Sequence, residues 1–213
     1  NTREIQNFLD GLKYPLYFLD YETMSSLIPY FDGHRPYQQV PMQYSLHILR
    51  APDAELEHKE FLHRDNYDPA LPLTEQLIED VGTEGSVIVW YEGFEKSRNT
   101  ELGDMFPQYK EAMEAINDRV VDLIIPFKQK WYDDPRFEGS ASIKKVLPVL
   151  CPELSYKTLG IQEGGSAQRL RGASARAPSA TRWSSDSAGP SSASPTCRAA
   201  WRVSPASCTP PRS

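Results

Sequence analysis

Two acidic side chains, Asp20 and Glu22, directly follow a run of apolar and aromatic residues, and their spacing suits metal chemistry. Residues two apart in a β-strand point to the same face of a sheet, so both carboxylates would face one ligand. Two such carboxylates repel each other unless a cation lies between them. Their oxygen atoms suit Mg²⁺ or Mn²⁺. An Asp-x-Glu sequence at a strand end also occurs as a solvated turn, and the pair alone leaves both interpretations open.

Further acidic residues follow along the chain. Glu95 lies in the first turn of an expected helix, where the helix dipole also favours an acid. Asp118 and Asp122 are four residues apart and would share a face of the next helix; we expect Asp118 to be solvated and Asp122 to be structural. Other kinds of site are not indicated, because the sequence has no His-x₃-His pair, glycine-rich phosphate loop or Gly-x-Ser-x-Gly turn.

The elements that would position these acids are predicted from hydrophobic periodicity. Predicted strands cover residues 14–22, 42–49, 56–63 and 86–91. Predicted helices cover residues 70–81, 94–105, 109–123 and 142–150. This order is typical of an α/β fold in which an antiparallel three-strand meander gains a parallel strand and is flanked by helices.

The loop at residues 31–41 is rich in Gly and Pro and has aromatic residues in it and beside it. Tyr30, Phe31 and Tyr37 could stack on nucleic-acid bases. They could equally pack beneath the loop, and the sequence leaves both interpretations open.

The chain of 213 residues has a net charge of −6, which hides a difference between its two parts. From Gly164 onward there are seven Arg, no Lys and one acid, Asp186, so residues 1–163 carry a net charge of −12. An acidic body argues against a broad nucleic-acid-binding surface. Acids gathered around metal ions would nevertheless raise the negative count without repelling a substrate once metal is bound.

The composition also divides the chain. Residues 1–163 have the turns and amphipathic segments of one domain, which we expect to lack its last helix, whereas residues 164–213 are almost entirely Ser, Ala, Arg, Pro, Gly and Thr. Such a tail cannot bury enough surface to fold, so disorder is expected. It is either a natural basic linker or the product of a frameshift, and we favour the frameshift because GC-rich DNA read out of frame encodes this composition.

The expected compartment is the cytoplasm. No run of ~18 apolar residues predicts a transmembrane helix, and the first ten residues lack the basic and apolar parts of a signal peptide. The three Cys are far apart in sequence and form no Cys-x-x-Cys motif. The chain begins without Met, and we expect it to be a fragment of a longer protein.

Several longer segments together resemble a known family. They are, in order, YFLDYET, FDGHRPYQQVPMQYSLHIL, HKEF, VIVWYEGFEK, DRVVDLIIPF and EGSASIKKVLPVLCPELSYKTLGIQ. The pattern resembles a bacterial domain of unknown function, number 2779, over residues 14–163. That family is placed with the ribonuclease H-like superfamily and often follows a RecB-like nuclease domain. The resemblance implies a ribonuclease H-like mixed sheet, similar to the DnaQ-like 3′–5′ exonucleases.

The resemblance also implies roles for individual residues. Asp20 and Glu22 look like the first exonuclease motif, and Glu95 stands where the metal-binding Asp of the second motif is expected. These three are therefore the catalytic and metal-ligand candidates for two Mg²⁺ or Mn²⁺ ions. Glu92 departs from the pattern, since Asn is expected there. Lower-ranked candidates for substrate contacts are Thr23, Lys96 and Lys144.

The function implied by the resemblance is a metal-dependent nuclease, a 3′–5′ exonuclease that hydrolyses phosphodiester bonds in single-stranded DNA or RNA. The third motif, a Tyr or His followed by Asp, should lie beyond Glu163, where the tail has only Asp186. Its absence would leave this chain inactive. The alternative is a non-catalytic module that binds nucleic acid or a partner beside a RecB-like nuclease domain. That nuclease domain would belong to the same or a neighbouring chain, and no membrane partner is expected.

Overall fold

The computed structural model describes residues 1–152 of the chain. Contacts divide the chain into two units: a sheet unit, Asn7–Pro126, and a terminal unit that contains Asn1–Gln6 and the residues from Phe127 onward. The expected domain end at residue 163 and the low-complexity tail lie outside the described residues. The acids singled out above belong to the sheet unit, apart from Asp186, which also lies outside the described residues.

After a first helix that is not among the predicted elements, three strands, a helix, a strand and further helices follow in the predicted order, with one additional short strand. The strands are β1 (Leu16–Met24), β2 (Val40–Leu49), β3 (Leu56–Leu62), β4 (Ser86–Val89) and β5 (Val120–Asp122). The helices are α1 (Thr2–Asp10), α2 (Ala70–Val81), α3 (Glu92–Met105), α4 (Lys110–Asp118), α5 (Ile125–Lys128) and α6 (Ile143–Leu150), and short 3₁₀ turns occur at Pro107–Tyr109 and Pro135–Phe137.

The strands form one mixed sheet in the order β3-β2-β1-β4-β5. The pairs β1–β2 and β2–β3 are antiparallel, which gives the predicted meander. The pairs β1–β4 and β4–β5 are parallel. The prediction of an α/β fold with a mixed sheet flanked by helices is therefore confirmed, and the arrangement is consistent with a ribonuclease H-like fold.

Helix α2 illustrates how the apolar pattern fixes the core. Leu73, Leu77 and Val81 recur every four residues, so they form one stripe on the helix, and all three are fully buried. The stripe packs into the same core cluster as Leu46 and Ile48 of β2. Burying a side chain of this size stabilises the fold by about 1.5–3 kcal/mol. The predicted bounds of this helix, 70–81, agree with the structure.

The predicted helix at 109–123 is wrong in its last third. Helix α4 ends at Asp118, and residues Val120–Asp122 form strand β5 instead. Val120 fits the helical spacing after Ile116, but two consecutive β-branched residues favour a strand. Parallel pairing of Val120 with Val87 of β4 decides between the two states. As a result Asp118 and Asp122 do not share a helix face.

The terminal unit contains a small cluster of aromatic side chains. The rings of Phe127, Tyr132 and Phe137 pack with centroid separations of about 6 Å. Helix α6 begins one residue later than predicted and ends at Leu150, two residues after Pro148. Lys144, a candidate for contact with substrate phosphate, lies on this helix.

Candidate functional site

The carboxyl ends of three parallel strands meet at one edge of the sheet unit. β1 pairs with β4 through Phe18 and Ile88, and β4 pairs with β5 through Val89 and Asp122. β1 continues beyond its last pairing with β4, and this extension contains Asp20 and Glu22. In open α/β sheets the carboxyl ends of the strands are the usual place for ligands. The sheet therefore brings acids from distant parts of the sequence to the kind of edge where ligands bind.

Asp20 and Glu22 project from the same side of β1. They alternate with Leu19, Tyr21 and Thr23, which are all buried, whereas Asp20 is exposed and Glu22 is half-buried. The period-two pattern of the strand therefore holds through this pair. Repulsion between the two carboxylates is strong enough to contribute to a raised pKa of Asp20. The prediction that both carboxylates share one face of the strand is therefore confirmed.

Glu95 is the most unusual acid of the edge. It lies in the first turn of α3, yet its side chain is only 4% exposed. Within residues 1–152 its Oε2 atom has no hydrogen-bond partner. Burial, together with the charges of Asp20 and Asp122, raises the pKa of Glu95 to about 7, although a hydrogen bond from its own backbone N–H acts in the opposite direction. An acid that served only the helix dipole would be expected at the surface, so burial makes Glu95 a site candidate.

The carboxyl of Asp20 is perturbed in the same direction. Surrounding protein atoms hinder its hydration although one side faces solvent, and this raises the pKa of Asp20 to about 6, with Glu22 adding to the increase. Asp20 in turn raises the pKa of Glu95. Asp20, Glu22 and Glu95, called the acidic triad below, therefore form a chain of mutually repelling carboxylates. A cation among them would relieve the repulsion.

Asp122 has a structural role, as expected, but it acts from the end of β5 and not from a helix. It is 5% exposed, and its oxygen atoms accept hydrogen bonds from the backbone N–H groups of Tyr91 (2.8 Å), Glu92 (3.0 Å) and Ile124 (3.1 Å). These bonds hold the turn before α3, in which Tyr91 has a left-handed φ of +89°. Asp122 thus fixes the start of the helix that presents Glu95. The β-branched pair before it is the one sequence signal that places it on a strand.

A buried polar network connects α3 to β1 and α4. The Tyr21 hydroxyl donates to Asn99 Oδ1 at 2.7 Å, and Asn99 Nδ2 donates to Asn117 Oδ1 at 2.9 Å. Asn117 Nδ2 then donates to the carbonyl of Lys96 at 3.2 Å. Because Asn99 is fully buried, the two bonds that it makes have a high cost of removal. The network holds the first turns of α3 in place beside β1.

The remaining candidates are less closely tied to the triad. Thr23 is buried and donates through Oγ1 to Gln39 Oε1 at 2.6 Å, so it anchors the β1–β2 loop. Lys96 pairs with Glu92 at 2.8 Å across one helical turn, and both side chains are substantially exposed. Glu92, which stands where Asn is expected, is therefore engaged with Lys96. Lys144 belongs to the terminal unit.

The donor set fits a hard divalent cation in its chemistry, although no complete cage is present. Its members are carboxylates, and Glu95 holds a buried oxygen without a partner among residues 1–152. No group of three or more His, Cys, Asp or Glu side chains within the described range is arranged to hold a metal ion. A cation would therefore have to draw the triad together or complete its coordination with water.

The part of the chain that the structure describes contains no helix with the length and apolar character needed to cross a membrane.

Comparisons with known proteins agree with the family resemblance. The family described as "Domain of unknown function (DUF2779)" matches residues 17–142, more than half of the chain. The uncharacterized protein MG366 of Mycoplasma genitalium is 27% identical over 187 residues, covering 78% of this chain and 28% of that protein. Its homolog in Mycoplasma pneumoniae is 27% identical over 177 residues, with 75% and 26% covered. The chain thus spans under a third of these relatives. No solved structure matches it.

Proposed function

The chain belongs to the DUF2779 family, a domain of unknown function, and on that premise we propose that it is a metal-dependent nuclease. The proposed reaction is hydrolysis of phosphodiester bonds at the 3′ end of single-stranded DNA or RNA, by a ribonuclease H-like, DnaQ-like domain. The observation that supports this most is Glu95, a buried carboxylate with an unpartnered oxygen and a pKa raised to about 7 beside Asp20. Strongly perturbed acids in such places are typical of functional sites.

The acidic triad would hold Mg²⁺ or Mn²⁺. Bound there, the cations would supply Lewis-acid activation of water and stabilise charge on the phosphate. The residues of the chain provide the positions: β1 presents Asp20 and Glu22 on one face, and α3 presents Glu95. Asp122 fixes the start of α3 by accepting backbone hydrogen bonds. The triad would therefore bind the metal, and Asp122 would position the helix that presents Glu95.

A cleavage assay tests the proposal. The full chain is incubated with a 5′-labelled single-stranded oligonucleotide in Mn²⁺, in Mg²⁺ and in a chelator. If this chain is active, we expect stepwise shortening that requires the metal and is lost in Asp20→Asn and Glu95→Gln. Asp118→Asn is the matched control, because this acid is exposed at the end of α4 and lies outside the triad. Cleavage that persists in Asp20→Asn would show that the triad is not the active site.

A parallel assay on the Mycoplasma genitalium relative separates an inactive chain from a wrong function. The expected third motif lies outside the described residues, and its loss would abolish activity in this chain alone. Metal-dependent cleavage by the relative, without cleavage by this chain, would support the nuclease function for the family. If neither protein cleaves, the nuclease proposal fails.

The second candidate is a non-catalytic module that binds nucleic acid or a partner, such as a RecB-like nuclease domain. Two observations favour it: residues 1–152 contain no preformed group of three metal-binding side chains, and the first 163 residues have a strong net negative charge. A ligand that binds only the folded state raises the unfolding temperature. If the chain is a metal-dependent nuclease, Mn²⁺ should raise its unfolding temperature. If it is a non-catalytic binding module, Mn²⁺ should leave the unfolding temperature unchanged.

A further inference from the structure

A polar cleft lies between α3 and the loop that connects β1 to β2. Its volume is about 310 Å³, at the lower end of the range for small-ligand sites. It is lined by Arg35, Pro36, Tyr37, Gln38, Gln39, Arg98 and Glu101. A second cavity beneath the same loop measures only about 10 Å³, the size of a single water molecule. Of these two spaces, only the cleft can admit part of an organic ligand.

Arg98 and Glu101 form the inner wall of the cleft and are incompletely hydrogen-bonded. Arg98 is only 8% exposed; one terminal nitrogen donates to Glu101 Oε1 at 3.1 Å, and its guanidinium carbon lies 5.3 Å from the centroid of the Phe94 ring. Among residues 1–152, Arg98 Nε and Glu101 Oε2 have no hydrogen-bond partner. Unsatisfied buried polar groups are rare and require an explanation. A polar ligand that engages this pair would provide one.

Tyr37 forms the outer wall and is held in a strained conformation. Its φ of +59° lies in the left-handed region that bulky residues rarely adopt. Its backbone N–H donates to the carbonyl of Ser26 at 2.8 Å, which keeps the loop in this shape. The ring is nevertheless 66% exposed. Strain of this kind persists where the surrounding structure enforces it and often marks a ligand site.

The cleft and the triad are built on two of the same elements, β1 with the loop that follows it and helix α3. Gln39 accepts a hydrogen bond from Thr23, which directly follows Glu22 on β1. Arg98 lies three residues after Glu95 on α3, and both residues are buried on the same helix. A ligand in the cleft would therefore contact the helix that presents Glu95 and the loop that follows the strand of Asp20 and Glu22.

We propose that this cleft receives one unpaired base of a single-stranded nucleic acid. The base stacks on Tyr37, and its polar edge forms hydrogen bonds with the Arg98–Glu101 pair. This inference rests on the proposed function and specifies its substrate as a strand with an accessible base. A base edge carries donors and acceptors together, which matches an arginine beside a carboxylate. A phosphate group fits less well because it would have to compete with Glu101 for Arg98 and Arg35, with which Glu101 already pairs at 3.1 Å and 3.7 Å.

The test measures binding without catalysis. The full chain is titrated in EDTA against a fluorescein-labelled single-stranded oligothymidylate, and the dissociation constant is read from fluorescence anisotropy. Tyr37→Gly removes the ring and also relieves the left-handed strain, so the variant should fold at least as stably as the parent. We expect it to bind at least about fivefold more weakly, as loss of one stacked base predicts. Tyr37→Phe should retain the affinity.

The matched control is Tyr30→Ala, because Tyr30 is 69% exposed in the same loop but does not line the cleft. Its affinity should stay close to that of the parent. Undetectable binding by the parent, equal binding by Tyr37→Gly, or equal binding of a blunt duplex would each overturn the inference. Because the binding test is done in EDTA and needs no metal, failure of both this chain and the Mycoplasma genitalium relative to cleave would refute the nuclease proposal and leave this one standing.

Discussion

Replacing Glu95 with Gln should remove a pH dependence from the stability of the metal-free chain. Burial and the charges of Asp20 and Asp122 raise the pKa of Glu95 from 4.5 to about 7. The folded state therefore holds the proton of Glu95 more tightly than the unfolded state does. The resulting stabilisation is complete below pH 4.5 and is lost as the pH rises through about 7.

The size of the effect follows from the pKa difference. One pKa unit corresponds to about 1.4 kcal/mol, so between about pH 5 and about pH 8 the parent should lose about 2 to 3 kcal/mol through Glu95. This is a large part of the ~5–15 kcal/mol that stabilises a typical domain. Gln has nearly the same shape but does not ionise. The fixed cost of burying its amide is the same at both pH values and cancels in the comparison.

Urea unfolding of both proteins in EDTA at the two pH values measures the difference. Glu92→Gln is the control: it lies in the same turn of α3, but its carboxylate is exposed and paired with Lys96. Loss of an exposed pair should cost at most about 1 kcal/mol and should cost it at both pH values. If Glu95→Gln and the parent lose the same stability between the two pH values, Glu95 does not carry the perturbed charge inferred for it.

Three further predictions concern neighbouring residues. Asp20→Asn should lower the pKa of Glu95 because it removes a like charge. A carbon NMR titration of labelled Glu carboxyls measures this pKa, and an unchanged value would contradict the charge interaction between Asp20 and Glu95. Asp122→Ala should cost about 3 kcal/mol or more in urea unfolding, because it leaves several backbone N–H groups unpaired, and Asp122→Asn should cost less. Tyr21→Phe should cost about 1–3 kcal/mol by leaving Asn99 Oδ1 without its donor; a neutral effect would mean that the network does not hold α3 in place.

Local patterns predicted much of the fold. Three elements are predicted by their own residues: β1 by the aromatic run before Asp20, β2 by its alternation of apolar and polar residues, and α2 by the four-residue spacing of its apolar residues. Burial of one face of a strand or helix imposes these fixed spacings of apolar residues. The same period correctly placed Asp20 and Glu22 on one face of β1. The resemblance placed Glu95 among the candidates, but its deep burial depends on the packing of α3, which the sequence does not display.

Non-local interactions account for what the sequence did not reveal. Strand β5 has only three residues and forms because its partner β4, more than 30 residues earlier, offers a free edge. The local sequence pattern does not indicate this strand and predicts a helix at Asp122. It therefore does not predict the hydrogen bonds between Asp122 and the turn before α3. The cleft depends on the backbone of Tyr37 and on the burial of Arg98. A pair such as Arg98 and Glu101, three apart on a helix, would ordinarily be read as a solvated ion pair.

The measurement that most directly tests the account is Mn²⁺ binding by the acidic triad. Isothermal titration calorimetry of the full chain, in buffers with different ionisation enthalpies, reports both affinity and proton release. If the acidic triad is a metal site, Mn²⁺ binds with release of protons near pH 7, because Glu95 is partly protonated there. Asp20→Asn should bind Mn²⁺ at least tenfold more weakly. If Mn²⁺ does not bind, or binds Asp20→Asn equally well, the triad is not a metal site and the nuclease proposal loses its basis.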